Sequence, residues 1–319
     1  MRSLIKLTKF IFICALLCIF LISCSSLPSS EEDFPYRVTA IIPHNDTYYW
    51  TLIGNAMVEA GKESGADVKV QVPQLNYNIP QMTTLIRQAA ASQADAIIVQ
   101  GIQDEDYLAA LEKAYNNGIL IVFVDTDIEN FPQHLYVGTD NLSAGRLVGE
   151  QIVSLTNARG NVAIISAQEN YTNLNQRISG IEEVLKEYPQ LSLELIAYDN
   201  FDPQQVLSIY DSIIREYPQI DTLVCVEGTG GQSLGRVLTQ KNDSIPNILV
   251  FDRSDETLAG VQNGIFDCLI QQDTQSMGQL AVEYLVQYLK TGKLEQWQYY
   301  TNTTIFTQEA LKQEVNSTP

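Results

Sequence analysis

The 319-residue chain is poor in the residues that metal and hydrolytic chemistry need. It has two histidines, His44 and His134, no Cys/His run at metal-ligand spacing and no G-x-S-x-G turn. Neither a zinc centre nor a serine-nucleophile elbow fits such a sequence. Cations are also scarce, 19 Lys and Arg against 38 Asp and Glu. An acidic surface repels nucleic acid and anionic lipid, and no basic DNA-binding headpiece is present. Long apolar runs are missing except for residues 10–22, which are too few to span a bilayer comfortably.

That run belongs to a targeting segment. Arg2, Lys6 and Lys9 precede it, as in a secretory signal peptide. It ends Leu21-Ile22-Ser23-Cys24, which resembles the lipobox of bacterial lipoproteins. The resemblance implies cleavage before Cys24 and a lipid on its thiol, so residues 1–24 read as a leader. The Ser-rich, acidic residues 25–35 read as a flexible tether. The leader takes three cations and no anions, leaving 16 against 38. Of five cysteines, Cys14 and Cys18 leave with the leader and Cys24 is the lipid site. Cys225 and Cys268 lie in apolar runs, as two buried thiols or, in an exported protein, as one disulfide.

From Tyr36 the chain alternates short apolar runs with amphipathic ones. Strands are predicted at 37–42, 67–72, 96–100, 120–125, 135–137, 161–166, 191–198, 222–226, 247–251 and 266–271. Helical patterns fill 48–64, 79–92, 104–116, 141–156, 174–187, 203–216 and 231–241. Fully apolar strands alternating with helices predict an α/β fold of parallel sheets with helices on both faces. The order also repeats. Ala40-Ile41-Ile42 returns as Ala163-Ile164-Ile165, Ala94 to Val99 as Ile220 to Cys225, and Val122-Phe123-Val124-Asp125 as Leu249-Val250-Phe251-Asp252, at offsets of 123, 126 and 127 positions. Two copies of one half, each of domain size, are expected. Ligands of open α/β sheets lie beyond the carboxyl ends of the strands, so two facing halves put the site in the cleft between them.

The residues after the strands suit a polar ligand. Asn45, Asp46, Tyr48, Tyr49 and Trp50 follow the first strand. Aromatic faces stack on the C–H face of a sugar ring while amides and carboxylates take its hydroxyls. A helix cap with an aromatic staple accounts for the same residues. Asp125 and Asp252 close equivalent strands, either as hydroxyl acceptors or as caps. Gly228-Thr229-Gly230-Gly231 follows a strand and opens a helix, the setting of an anion cradle, but Ser233 stands where a dinucleotide fingerprint has its third glycine, and Glu227 opposes an anion. Asp104-Glu105-Asp106 reads as acids at a helix N-terminus rather than a cation site. His44 adjoins the first cluster and is a further contact candidate.

Asn45-Asp46-Thr47-Tyr48-Tyr49, Val137-Gly138-Thr139-Asp140-Asn141 with Ala144-Gly145, Arg177 to Gly180, and Val250-Phe251-Asp252 with Gln272 together resemble the ribose-binding protein family, in order and spacing. This is the family of type I periplasmic sugar-binding proteins, which shares its fold with the ligand domains of LacI-type repressors, and the resemblance covers about residues 36–308. It implies two Rossmann-like lobes, 36–139 with 273–302 and 140–272 with 303–319, joined by a hinge near 139–140, 272–274 and 301–304. It implies no catalysis and no cofactor. It places ligand contacts on Asp46, Tyr48, Tyr49, Asp125, Asn175 or Arg177, Phe201, Asp252 and Gln272, and points to Glu227 and Thr229 in the loop where the family offers an Asn. Asp125-Thr126 stands where the family often has Asp-Arg, which removes one cation. The expected protein is an exported, lipid-anchored monomer with a small-molecule, sugar-type ligand. Its expected partner is an ABC permease or, in the alternative reading, a membrane histidine kinase or chemoreceptor that senses the closed form.

Overall fold

The computed structural model describes residues 34–44, 48–238, 240 and 245–317, the last five of these without side chains. The leader, Cys24 and Asp46 lie outside the described residues. Five strands come first: β1 (Tyr36–Ile41), β2 (Ala66–Gln71), β3 (Ala96–Gln100), β4 (Leu120–Val124) and β5 (Leu135–Thr139). Five more are β6 (Gly160–Ser166), β7 (Leu191–Tyr198), β8 (Thr222–Cys225), β9 (Asn247–Phe251) and β10 (Cys268–Gln272), and two short ones close the chain, β11 (Gln298–Thr301) and β12 (Thr303–Phe306). They form two six-stranded sheets, ordered β11-β5-β4-β3-β1-β2 and β12-β10-β9-β8-β6-β7. The second order is the first shifted by one half-chain, so the repeat in the sequence is a repeat of topology.

The strand registers explain the apolar runs. β3 pairs with β4 through Ala96–Leu120 to Gln100–Val124, all parallel, and β3, β4 and β5 are buried throughout. Alternate residues feed cores on opposite faces. Ile97, Val99, Ile121 and Phe123 join one cluster, and Ala96, Ile98, Val122 and Val124 the other. The second sheet does the same, with Cys225 in one of its cores and Cys268 in the opposite one. A sheet therefore separates the two thiols, and both are free. The disulfide alternative does not hold, because the strand alternation points the side chains apart. Within each sheet every pairing is parallel except β12 on β10.

Ten helices are described: α1 (Tyr48–Ser64), α2 (Ile79–Ala91), α3 (Glu105–Asn116), α4 (Asn141–Thr156), α5 (Thr172–Leu185), α6 (Pro203–Glu216), α7 (Gly228–Val237), α8 (Asp255–Gln262), α9 (Thr274–Thr291) and α10 (Gln308–Ser317). α7 starts three residues before its predicted position, because the Glu227 carboxylate caps it by accepting from the Thr229 and Gly230 amides, both at 2.7 Å. The same cap fills the glycine-rich turn with the chain's own anion, which leaves no cradle for a phosphate. Asp104 likewise caps α3, accepting from the Tyr107 amide at 3.0 Å.

The chain passes from one sheet to the other after β5, after β10 and between β11 and β12. The first two crossings are built alike, with Asp140 capping α4 and Asp273 capping α9. Thr139 Oγ1 donates to Gln272 Oε1 at 2.8 Å and ties them together. The Asp273 amide bonds the carbonyl of Asn302, the residue of the third crossing, at 3.1 Å.

Candidate ligand cleft

The carboxyl ends of the strands of both sheets face one cavity of about 100 Å³. Tyr48, Tyr49, Tyr77, Gln100 and Asp125 line it from the first sheet's side, and Asn173, Arg177, Phe201, Glu227, Thr229 and Asp252 from the second's, with Gln272 at the crossing. Asp125 and Asp252 each follow an apolar strand in a left-handed backbone conformation, with φ of 66° and 67°. Such a turn is uncommon for a residue with a side chain. It aims both carboxyls off their strand ends into the cavity rather than along the following helix, so neither is a helix cap.

Asp125 is saturated. Tyr49 Oη donates to its Oδ1 at 2.6 Å, and Gln100 Nε2, Thr126 Oγ1 and Asn173 Nδ2 donate to its Oδ2 at 2.8, 2.7 and 3.2 Å. The Asn173 bond crosses the cleft. Burial and the Asp125 carboxylate push the Tyr49 hydroxyl well above its ordinary pKa, so it stays a donor. Asp252 is different. Among the described residues only Gln272 donates to its carboxylate, at 2.7 Å. Burial pushes its pKa up to about 6, against the pull of the Arg177 guanidinium and the Gln272 bond, with Asp125 and Glu227 adding repulsion.

Arg177 is the largest fully buried side chain, 1% exposed. Its Nε donates to Asn141 Oδ1 at 2.8 Å, its Nη1 to the Val226 carbonyl at 2.7 Å, and its guanidinium lies 4.3 Å from the Phe251 ring centre. Its Nη2 is buried with no hydrogen-bond partner. The helix carrying it is pinned by close backbone approach. A methyl group on Gly145 of α4 would run into the Arg177 carbonyl, and one on Gly180 of α5 into the Leu142 carbonyl.

Asn175 is not part of the cleft. It is exposed and donates to the Glu169 carbonyl at 2.6 Å. Residues four apart share a helix face whereas two apart do not, so Asn173 and Arg177 point inward and Asn175 outward. Asn173 was not anticipated, although its i, i+4 spacing from Arg177 marks it. Gln100 and Tyr77 were also unanticipated, although each follows or ends a strand. Tyr77 stacks on Phe201 across the cleft, ring centres 4.3 Å apart and planes at 7°. Trp50 Nε1 donates to Tyr77 Oη at 3.3 Å, and His44, buried at the same wall, is 5.2 Å from its ring. Tyr48 is half exposed at the rim, and Thr229 contributes its amide to the Glu227 cap.

Behind Glu227 lies Asp199, fully buried, with Oδ1 accepting the Phe201 amide at 2.8 Å and Oδ2 unpartnered. Burial, and after it the adjacent Glu227 carboxylate, hold Asp199 far above the usual carboxylate range. No group of described residues could hold a metal ion.

Residues 38–294 match the profile of the periplasmic binding protein domain family. A D-apiose import binding protein of Actinobacillus succinogenes is 24% identical over 262 residues, 80% of this chain and 82% of that one. The ribose import binding protein of Bacillus subtilis is 21% identical over 241 residues, 75% and 76% of the two chains. Among solved structures, an ABC transporter solute-binding protein of Burkholderia graminis in complex with D-arabinose superposes with a TM-score of 0.81 at 24% identity, over 87% of this chain and 96% of that one. The chain therefore belongs to the periplasmic binding protein domain family, with the type I arrangement of two α/β lobes.

Proposed function

We propose that this protein catches a monosaccharide in the cleft between its two sheets and delivers it to an ABC importer from outside the cell membrane, where a lipid on Cys24 holds it. Residues 36–139 with 273–302 form one jaw and 140–272 with 303–319 the other, and the three crossings between them are the hinge. The observation that carries the reading is the pairing of a buried guanidinium that keeps one N–H group uncommitted, on Arg177 Nη2, with an under-bonded carboxylate on Asp252. A donor and an acceptor of opposite charge at one wall suit adjacent hydroxyls, each of which both donates and accepts. Contacts from both jaws, the Tyr48 and Tyr49 rings on one and Arg177 with Asp252 on the other, make closure favourable once a ligand bridges them. The cavity's small size favours one sugar ring over a chain of them. The imported sugars of the named relatives support this class of ligand.

A thermal-shift and calorimetric screen of pentoses, hexoses and polyols tests the reading, since a ligand that binds only the fold raises the melting temperature. One or more monosaccharides should bind. Asp252→Ala should stay folded and lose at least tenfold in affinity, because a charge-assisted hydrogen bond contributes roughly 1.5–3 kcal/mol. A flat screen, or a variant with unchanged affinity, overturns the assignment. Palmitate labelling that Cys24→Ala abolishes tests the anchor.

A further inference from the structure

We infer that the sugar this cleft takes is an amino sugar, a monosaccharide ring bearing a protonated amine. The inference rests on the sugar-binding reading above and names the class of ligand. Its basis is the ionic inventory of one small cavity. Asp125, Asp252 and Glu227 all line it. Every bond the first two accept comes from a neutral group: a phenol, two amides and a hydroxyl on Asp125, an amide on Asp252. Glu227 is held by two backbone amides, with the buried Asp199 beside it. None of the three forms an ion pair among the described residues.

Two guanidinium groups oppose them. Arg177 is the buried one, and it spends two of its arms on the Asn141 amide oxygen and the Val226 carbonyl. Arg253 reaches Gln271 at 3.5 Å instead of any of the carboxylates. His44, the remaining basic group at the wall, packs against Tyr77 at the first sheet's side. Buried carboxylates held by neutral donors alone are costly, and a cation that bonds them directly offsets that cost. An ammonium group supplies three donors and one positive charge, and all three acids line the cavity it would enter. A sugar acid meets the opposite field and is rejected. The neutral ring hydroxyls keep Arg177 Nη2 and Asp252 as their partners, so the amine adds to that recognition instead of replacing it.

The test is calorimetry on matched series in which only the charge changes: D-glucose, D-glucosamine, N-acetyl-D-glucosamine and D-glucuronate, with the galactose and mannose counterparts. In the series whose stereochemistry fits, the amine should bind at least tenfold tighter than the neutral parent. The N-acetyl form, which keeps the nitrogen and loses the charge, should lose that gain, and the uronate should bind at least tenfold weaker than the parent. Glu227→Gln should shrink the ratio of amine to parent affinity by fivefold or more. The ratio is read within one protein, so an effect of the substitution on the α7 cap cancels. A parent sugar that binds as tightly as its amine, or an N-acetyl form that keeps the gain, overturns this inference and leaves the sugar-binding reading standing. Absence of binding by every member of every series overturns this inference, and a flat screen of pentoses and polyols as well overturns both.

Discussion

Asp125 and Asp252 occupy the same place in the two halves of the molecule, and they do different work. Each ends an apolar strand, each has a left-handed φ near 66°, and each gives its amide to the neighbouring strand, Asp125 to the Val137 carbonyl at 3.2 Å and Asp252 to the Ile270 carbonyl at 2.9 Å. The repeat fixes where the carboxyls point. Their neighbours decide what they do there. Four donors, one of them from the opposite side of the cleft, make Asp125 a structural knot. Asp252 has one donor and a buried cation near it, and its raised pKa reports a carboxylate whose charge the protein alone does not fully support. Duplication thus supplied a symmetric frame, and the substitutions around it made one acid hold the cleft's shape and left the other for the ligand.

The comparison is broken most severely by removing the cation. Arg177→Met keeps an unbranched, apolar stem and deletes the guanidinium and its charge. It leaves Asp252 without its counter-charge and strips a partner from the Asn141 side chain and the Val226 carbonyl. Leaving those two buried acceptors unsatisfied costs roughly 1–3 kcal/mol each, so the variant should unfold at markedly lower denaturant and bind no sugar. Denaturant titration and calorimetry read the two effects; unchanged stability would show that Arg177 serves the ligand alone.

A sharper cut exchanges each acid for its amide. Asp125→Asn puts an N–H₂ group where donors already converge, so it should lose roughly 1–3 kcal/mol of stability through unsatisfied groups. Asp252→Asn should instead lose affinity at least tenfold and keep its fold. pH separates them further. The folded protein holds the Asp252 proton up to about pH 6, above the ordinary value of 3.8, so between these values it binds more protons than the unfolded chain. Stability of the ligand-free protein should therefore fall as pH rises from about 4 to about 6, while sugar affinity rises over the same window as the carboxylate ionises. Asp252→Asn should remove its share of both slopes. A wild-type stability that rises steadily through this window, unaltered by the substitution, would contradict the raised pKa.

Much of this was legible beforehand because it depends on pattern. Fully apolar strands reported sheets covered on both faces, and three echoes at one spacing reported two halves with the same strand order. Asp125, Asp252 and Gln272 were found by the rule that ligands collect beyond strand ends. What escaped depends on direction. Asn175 and Asn173 are equally polar and two positions apart, and only the helical phase set by the Gly145 and Gly180 contacts separates outward from inward. β11 and β12 are four residues each, with polar residues among them, and exist because they pair with β5 and β10 from opposite ends of a crossing. The Asp199–Glu227 pair has no sequence signal, because Asp199 closes an amphipathic strand by lying behind α7.

A second pair of equivalent residues gives the gentlest test. Tyr77 follows β2 and Phe201 follows β7, matching strands of the two halves, and both again have a left-handed backbone, with φ of 52° and 59°. Unlike the two acids, this pair meets itself, face to face across the cleft. It joins the halves without a charge, so it should act on closure and leave pH dependence alone. Stacked pairs contribute about 0.5–1.5 kcal/mol beyond their burial. A double-mutant cycle of Tyr77→Leu and Phe201→Leu should return a coupling of that size in the ligand-bound protein and close to none when the jaws are apart. The single changes should weaken sugar binding by about threefold to tenfold, mainly through faster release, which stopped-flow displacement would read. A coupling that persists unchanged in a state shown by scattering to be open would mean that the stack belongs to the fold, and that polar bonds such as Asn173 to Asp125, with the ligand, join the two sides of the cleft.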